Sequence, residues 1–262
     1  MTTPSPTPFR PVIRRVVLRT PHAARLADFY QKALGLVAQR VTPDRPDLSL
    51  LHPASVETLL TLLEDPAARP PARGAPGLFH IALLYPELDD WRAAVHRFTA
   101  QTGGLHGAAD HGVSWAVYGA DPDGNGLELA WDKPSDQWPW RGEQIAMVSL
   151  PLPANSLLPN PGGIPPGVGI FHIGHLHLQV ADLLEAAALC DTLDLRGTQS
   201  DYAGAVFMAR DAYHHHLAVN VWNTRPHLAW PQQAVGLVSW DTTLRDGTTA
   251  GGTTLAKCRG KK

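Results

Sequence analysis

The sequence predicts an α+β protein assembled from repeated modules, each a strand, a helix and further strands. Short segments of alternating apolar and polar residues, typical of half-buried strands, recur along most of the chain. Segments 25–34 and 87–102 carry apolar residues at helical spacing, and each follows such a strand. Because this order of elements occurs twice within about 135 residues, it indicates an internal repeat.

The first module is predicted between residues 12 and 64. Residues 12–18 form a short apolar strand pattern, and the helix at 25–34 ends at Gly35, a residue typical of helix C-termini. Two further strand patterns follow at 48–51 and 58–64. This order is a strand, a helix and two more strands.

The second module begins with a strand at residue 77, in which alternation places His80 on the same face as Ala82. After the helix, residues 121–126 predict a turn, because proline fixes φ while glycine and asparagine accept positive φ. The strand after this turn carries Glu128 among apolar neighbours. A buried carboxylate is costly unless something pairs with it, and a metal ion is one such partner.

A third module follows a stretch at 133–168 that is rich in proline and glycine and predicts a connector. The elements expected in this module are a strand from residue 173, a helix from Asp182 to about residue 192, and strands at 205–209 and 213–222. Alternation places His175 and His177 on one face of the first strand. The last strand carries three consecutive histidines, His214–His216.

A fourth module is predicted to be truncated. Residues 236–240 resemble a first strand, but the residues after 241 are rich in threonine, glycine and lysine and have no helix pattern. The predicted organisation is an N-terminal domain at 12–132, the connector at 133–168, a C-terminal domain at 169–240 and a disordered tail at 241–262.

Composition limits the classes of partner. The 262 residues carry a net charge of −2, which argues against nucleic acid or an anionic membrane as a partner. No apolar run reaches the roughly 18–20 residues that span a bilayer, and the N-terminus lacks the core of a signal peptide. We therefore expect a cytoplasmic protein.

One stretch of the second module resembles the signature of extradiol ring-cleaving dioxygenases, which belong to the vicinal oxygen chelate superfamily. The signature runs from a histidine through an aliphatic–tyrosine pair and an Asp-Pro-x-Gly turn to a glutamate. The matching residues are His111, Val117, Tyr118, Asp121, Pro122, Gly124 and Glu128. Ala109 departs from the signature, which prefers Gly, Asn, Thr, Ile or Val two places before the histidine.

Over about residues 12–240 the chain resembles the catechol 2,3-dioxygenase group of this superfamily. The resemblance implies tandem βαβββ modules that form curved mixed sheets in two domains, with the last module truncated in this chain. It also implies that modules 2 and 3 pair around a site, while module 4 pairs with module 1.

The resemblance further implies a metal centre of two histidines and one carboxylate. In the family, the ligands come from the first strand of one module and from the first and last strands of its partner. Module 2 offers His80 and Glu128 there, and module 3 offers His175. Module 1 has Arg15, which has no lone pair for a metal. His177 competes with His175, because both lie on the same strand face.

Three catalytic residues are also implied by the resemblance. His215 would transfer protons at the catechol oxygen and superoxide, while His111 and Tyr118 would bind the ionised oxygen of the substrate. An imidazole that titrates near neutrality suits proton transfer. Alternation leaves open which of the consecutive histidines faces the site, because His214 and His216 share one strand face, His215 lies on the other, and a bulge could change this.

The implied function is opening of a catechol ring beside its two hydroxyl groups, using Fe(II) and O₂, with Mn(II), Zn(II) or Ni(II) as alternative metals. The implied partners are an aromatic diol and O₂, and a homo-oligomer is allowed. One alternative is another metal-dependent enzyme of the superfamily, such as a glyoxalase-like lyase or isomerase, although such members usually use two carboxylates. Another is a small-molecule-binding protein without a metal. Trp115, Phe207 and Trp222 are candidates for the pocket lining.

Overall fold

The computed structural model describes residues 12–55, 57–158, 163, 167–244 and 246–254. Three βαβββ modules are present, as the sequence and the resemblance predicted. Module 1 contains β1 (Ile13–Thr20), α1 (Ala23–Leu34), β2 (Val37–Arg40), β3 (Leu48–Leu51) and β4 (Thr58–Glu64). Module 2 contains β5 (Gly77–Leu84), α2 (Leu88–Thr102), β6 (Gly107–Asp110), β7 (Ser114–Ala120) and β8 (Gly126–Asp132).

The rest of the chain supplies the third module, the connector and the start of a fourth module. The connector contains β9 (Trp140–Arg141), β10 (Gln144–Ile145), β11 (Leu150–Pro151) and short 3₁₀ helices at Ser135–Gln137 and Ala154–Leu157. Module 3 contains β12 (His172–Gln179), α3 (Glu185–Leu193), β13 (Arg196–Gln199), β14 (Ala205–Ala209) and β15 (Leu217–Asn220). The fourth module is represented by β16 (Gly236–Thr243) and β17 (Thr249–Thr253).

The modules combine into two mixed sheets. The larger sheet has the strand order β11-β6-β7-β8-β5-β12-β15-β14-β13, and the smaller has the order β17-β16-β1-β4-β3-β2. Antiparallel pairing of β5 with β12 joins module 2 to module 3, and antiparallel pairing of β1 with β16 joins module 1 to module 4. The predicted module pairing is therefore confirmed. Each sheet takes strands from both sides of the connector, and the division into domains at the connector stays a prediction.

Several predicted boundaries are corrected by the structure. The expectation of a disordered tail from residue 241 is wrong for β17, which pairs with β16 and whose Gly252 N–H donates to the carboxylate of Asp241 over 2.9 Å. The polar sequence of β17 gave no sign of this, because an edge strand can be held by backbone hydrogen bonds alone. Residues 245 and 255–262 of the predicted tail lie outside the described residues.

Module 3 also differs from its prediction at two boundaries. Helix α3 begins at Glu185 instead of Asp182, because the Asp182 carboxylate accepts the N–H of Leu184 and forms a turn there. The last strand begins at Leu217 instead of residue 213. The three consecutive histidines therefore precede β15 and do not follow strand alternation.

The helices pack their apolar sides into the core. α1 and α2 meet through Phe29 and Phe98, whose ring centroids lie 6.3 Å apart. Trp91 of α2 is fully buried and donates its indole N–H to the carbonyl of Leu129 over 2.9 Å, which ties the helix to β8. Along the described parts of the chain, we find no helix with the length and apolarity that a bilayer crossing requires.

Candidate metal centre

The register of three neighbouring strands brings His80, Glu128 and His175 onto one face of the larger sheet. Ala82 of β5 pairs with Glu128 of β8 on one side and with His175 of β12 on the other. His80 lies two residues before Ala82 and shares its face. The side chains of all three residues therefore converge above the middle of the sheet.

The three side chains are buried and in contact. Nε2 of His80 lies 2.9 Å from Oε2 of Glu128 and 3.2 Å from Nε2 of His175. Nε2 of His175 lies 3.4 Å from the same carboxylate oxygen. Burial alone would raise the pKa of Glu128, but the imidazoles of His175 and His80 outweigh burial and hold that pKa well below its usual range. The carboxylate is therefore ionised.

This donor set fits a divalent transition metal. One ligand atom from each of the three residues can be chosen so that all of them lie within 4.8 Å of one another. Two imidazoles and one carboxylate on one side of a cation leave the opposite positions open, which is the arrangement found in non-haem Fe(II) oxygenases. The burial of the set also favours a cation, because an ionised carboxylate away from water needs a partner.

A glycine allows the two strands of module 2 to approach each other. A Cβ atom at Gly126 would lie 1.9 Å from the carbonyl oxygen of Phe79 and 3.1 Å from Cβ of His80. Gly126 therefore sets the separation of β5 and β8 immediately beside two members of the triad. The turn before it is held by the carboxylate of Asp121, which accepts the N–H groups of Asp123 and Asn125, each over 2.9 Å.

His177 has a different environment from His175. Its Nε2 accepts the side-chain N–H of Asn220 over 3.0 Å, which occupies the lone pair that a metal would need. Burial, followed by the charges of His80 and His175, lowers the pKa of His177 well below its usual value. Of the two candidates that the sequence left open, the one grouped with His80 and Glu128 is His175.

A cavity of about 250 Å³ opens above the triad. Apart from the histidines and Glu128, its wall is mainly apolar and aromatic, and it includes Phe79, Met147, Val148, Tyr202, Phe207 and Trp222. The predictions for Phe207 and Trp222 are confirmed. The prediction for Trp115 is wrong, because Trp115 points to the opposite face of β7 and packs against Trp91 and Trp131, with centroid distances of 6.3 and 5.2 Å.

His111 and Tyr118 lie together at the edge of this cavity. Nδ1 of His111 lies 2.8 Å from the carbonyl oxygen of Val148, and because a carbonyl only accepts, Nδ1 carries the hydrogen. Nε2 of the same ring lies within hydrogen-bond distance of the hydroxyl oxygen of Tyr118. Tyr118 pairs with Glu128 across β7 and β8. Burial, followed by the charge of Glu128, raises the pKa of Tyr118 well above its usual value.

The structure also answers which of the three consecutive histidines faces the cavity. His215 lines it, and its ring centroid lies 4.0 Å from that of His175. His214 points away toward Asp132, with 3.1 Å between Nε2 and Oδ1, and Nδ1 of His216 accepts the backbone N–H of Arg210 over 3.2 Å. Burial and then the neighbouring imidazoles hold the pKa of His215 well below its usual value, so this ring is neutral at pH 7.

Some residues near the site carried no recognisable sequence signal. Asp132 and Tyr213 contact each other behind His215, with 2.7 Å between the Tyr213 hydroxyl and Oδ2 of Asp132. The two residues are 81 positions apart, and each follows an apolar residue and precedes a polar one in the sequence. Nothing short of the three-dimensional pairing of modules 2 and 3 relates them.

Comparisons with known proteins agree with this architecture. The family model described as "Glyoxalase/Bleomycin resistance protein/Dioxygenase superfamily" matches residues 12–129. The chain is 33% identical over 222 residues to the "Catechol-2,3-dioxygenase" of Bacillus subtilis (strain 168), covering 81% of this chain and 75% of that protein. It also matches the solved structure of a "putative dioxygenase" from Bacillus subtilis, with a TM-score of 0.56, 16% identity and coverage of 91% of this chain and 73% of that one. This last match concerns the fold alone.

Proposed function

Because the chain belongs to the glyoxalase/bleomycin resistance protein/dioxygenase superfamily, we propose that it is an extradiol dioxygenase that opens the ring of a catechol-type substrate with Fe(II) and O₂. One observation carries the proposal: two imidazoles and one carboxylate converge on one face of a sheet, below a cavity with aromatic walls. His80, Glu128 and His175 would hold the metal. The name of the curated relative supports the same reaction class.

Each group around the cavity has a role in this reaction. Bound Fe(II) would supply the redox and Lewis-acid chemistry through which a catechol and O₂ can react. The neutral ring of His215 accepts a proton from one catechol hydroxyl, and later returns it as an acid. His111 and Tyr118 orient the other oxygen by hydrogen bonding. The apolar wall holds the aromatic ring and excludes water.

The number of carboxylates separates this proposal from a glyoxalase-like lyase or isomerase. Such members of the superfamily usually bind their metal with two carboxylates, and Glu128 is the one carboxylate in the metal-ligand group found among the described residues. A metal-free binding protein would leave three buried polar groups around a site that suits a cation. Both alternatives stay outcomes of the experiment that follows.

Anaerobic loading with Fe(II), followed by catechol and then air, tests the proposal directly. We expect a yellow ring-opened product and one bound iron per chain, with Mn(II), Zn(II) and Ni(II) compared under the same conditions. Glu128→Gln and His175→Gln should each weaken metal binding more than about 100-fold, because each removes one of three ligands. His177→Gln is the matched control, since it changes a histidine in the same cavity that binds Asn220 instead.

Two outcomes would contradict the proposal. If the iron-loaded protein binds metal at the triad but cleaves no catechol from a panel of neutral and charged rings, then the activity is wrong while the metal centre stands. If His177→Gln abolishes metal binding and His175→Gln does not, then the ligand assignment is wrong.

A further inference from the structure

A chain of hydrogen bonds leads away from the cavity behind His215. Nδ1 of His215 lies 2.8 Å from Nδ1 of His214, and Nε2 of His214 lies 3.1 Å from Oδ1 of Asp132. The second carboxylate oxygen of Asp132 accepts the hydroxyl of Tyr213 over 2.7 Å. His214, His215 and Tyr213 are buried, and the Asp132 side chain is 19% exposed.

Counting hydrogens along this chain fixes the tautomer of each ring. The Asp132 carboxylate only accepts, so Nε2 of His214 carries its hydrogen. With the ring of His214 in its neutral form, which has one N–H, its Nδ1 is an acceptor. The hydrogen between the two rings must then belong to Nδ1 of His215, which leaves the lone pair of His215 on Nε2.

We propose that Asp132 and His214 are positioning residues that keep His215 in the Nδ1–H tautomer, so that its Nε2 presents a lone pair to the substrate. The inference rests on the proposed function, in which His215 accepts a proton from a catechol hydroxyl. In the opposite tautomer Nε2 of His215 would carry a hydrogen, and a nitrogen that carries a hydrogen cannot accept a proton from the substrate.

Other contacts of the two rings hold their planes but do not choose the tautomer. His215 stacks near His175 and Phe207, with centroid distances of 4.0 and 5.0 Å. His214 lies against Trp138 at 5.0 Å and against Tyr213 at 4.0 Å. These aromatic neighbours also shield the Asp132–His214 contact from water, which strengthens it.

The hydroxyl of Tyr213 gives the carboxylate of Asp132 a fixed orientation. By donating to Oδ2, it leaves Oδ1 directed at His214. Tyr213→Phe would therefore loosen the array but leave the acceptor in place, whereas Asp132→Asn replaces one of its acceptor oxygens with a donor of nearly the same shape. The amide N–H can donate to Nε2 of His214, which reverses the two hydrogen bonds of the His214 ring and leaves the one from Tyr213 unchanged.

Nitrogen-15 NMR of the metal-free protein tests the tautomers without any need for activity. Long-range ¹H–¹⁵N correlation spectra, assigned with a His215→Asn variant, should report the Nδ1–H form of His215 in the wild type. The Asp132→Asn protein should report the Nε2–H form, while Tyr213→Phe should keep the wild-type form. An Nε2–H form of His215 in the wild type would overturn the inference, as would an unchanged spectrum of His215 in Asp132→Asn.

Steady-state kinetics of the Fe(II)-loaded protein give the second measurement. In Asp132→Asn we expect kcat to fall about 10–100-fold, the range found when outer partners of a site are removed. KM for catechol and the affinity for Fe(II) should stay within about twofold of wild type, because no group that touches the substrate or the metal has changed. The loss in Tyr213→Phe should be smaller than in Asp132→Asn.

The two measurements separate the possible failures. If neither the wild-type protein nor any variant cleaves a catechol, the proposed function is wrong. The NMR measurement still determines the tautomer of His215. If Asp132→Asn has wild-type kcat or an equal loss of metal affinity and kcat, the positioning role is wrong. If Asp132→Asn does not fold, the wild-type tautomer and the Tyr213→Phe kinetics still test the proposal.

Discussion

Adding one methyl group at Gly126 should damage the metal centre more than most larger changes on the surface. In Gly126→Ala the new Cβ atom would lie 1.9 Å from the backbone oxygen of Phe79, whereas real Cβ contacts stay above about 3.0 Å. Strands β5 and β8 must therefore separate by at least about 1.1 Å at this point, since 3.0 − 1.9 = 1.1. Neither backbone segment can yield as a flexible side chain would.

This separation of the strands would displace two of the proposed metal ligands. Phe79 precedes His80, and Gly126 lies two residues before Glu128, whose Oε2 is 2.9 Å from Nε2 of His80. Metal–ligand distances tolerate deviations of about 0.2 Å, so a shift of about 1 Å exceeds the tolerance several-fold. We expect metal affinity to fall at least about tenfold, which is ~1.4 kcal/mol, and the free energy of unfolding to fall by ~1–3 kcal/mol.

Competition with a fluorescent chelator measures the affinity, and urea unfolding of the metal-free protein measures the stability. Gly197→Ala is the matched control, because Gly197 lies in β13 of the same sheet and an added Cβ atom there meets open space. The control should bind metal like the wild type. If Gly126→Ala binds metal as tightly as Gly197→Ala does, the close approach of β5 and β8 does not set the ligand geometry.

Two further predictions concern stability. The metal-free protein should lose stability as the pH falls below about 6.5. The pKa values of buried His177 and His215 are depressed in the folded protein, so the unfolded chain binds these two protons at a higher pH than the folded protein does. Each histidine then changes the free energy of unfolding by ~1.4 kcal/mol per pH unit. In the double variant His177→Gln with His215→Gln, the urea midpoint should depend less on pH than in the wild type. An unchanged pH dependence would show that these two histidines do not cause the loss of stability. Tyr30→Phe should lower the free energy of unfolding by ~1–3 kcal/mol, because it removes a buried 2.9 Å hydrogen bond to the carboxylate of Asp121. A loss below ~0.5 kcal/mol in urea unfolding would contradict this role.

Much of the fold could be predicted from local patterns. Strand alternation and helical spacing predicted the order of strands and helices in each module. Gly35 predicted the end of α1, and its φ of 72° is a left-handed conformation that glycine tolerates. At the corresponding position of module 1, Arg15 pairs with Asp241 at 2.8 Å. These features depend on neighbours in the sequence, or on which residue types can bind a cation.

Other features depend on contacts that no local pattern contains. Strand alternation alone does not separate the proposed ligand His175 from His177, because both lie on one face of β12, and the hydrogen bond from Asn220 distinguishes His177. His215 faces the cavity from a segment that precedes β15, so strand parity gave no answer. Asp132 at the end of β8 looked like an ordinary polar strand end, since its partner His214 is 82 residues away.

The two sheets have the same strand register at their centres but carry different residue types there. In the smaller sheet, Val17 pairs with Thr61 of β4 and with Ser239 of β16, as Ala82 pairs with Glu128 and His175 in the larger sheet. The residues that stand in place of His80, Glu128 and His175 are therefore Arg15, Thr61 and Ser239.

The three corresponding positions of the smaller sheet do not carry the donor set of two imidazoles and one carboxylate. None of these three positions carries a carboxylate, and the guanidinium of Arg15 is neutralised by Asp241 of the partner strand. The partly exposed guanidinium of Arg15 thus occupies the position in the smaller sheet that His80 occupies in the larger sheet. The proposed ligand set comes from modules 2 and 3 alone, and β16 and β17 of module 4 belong to the smaller sheet.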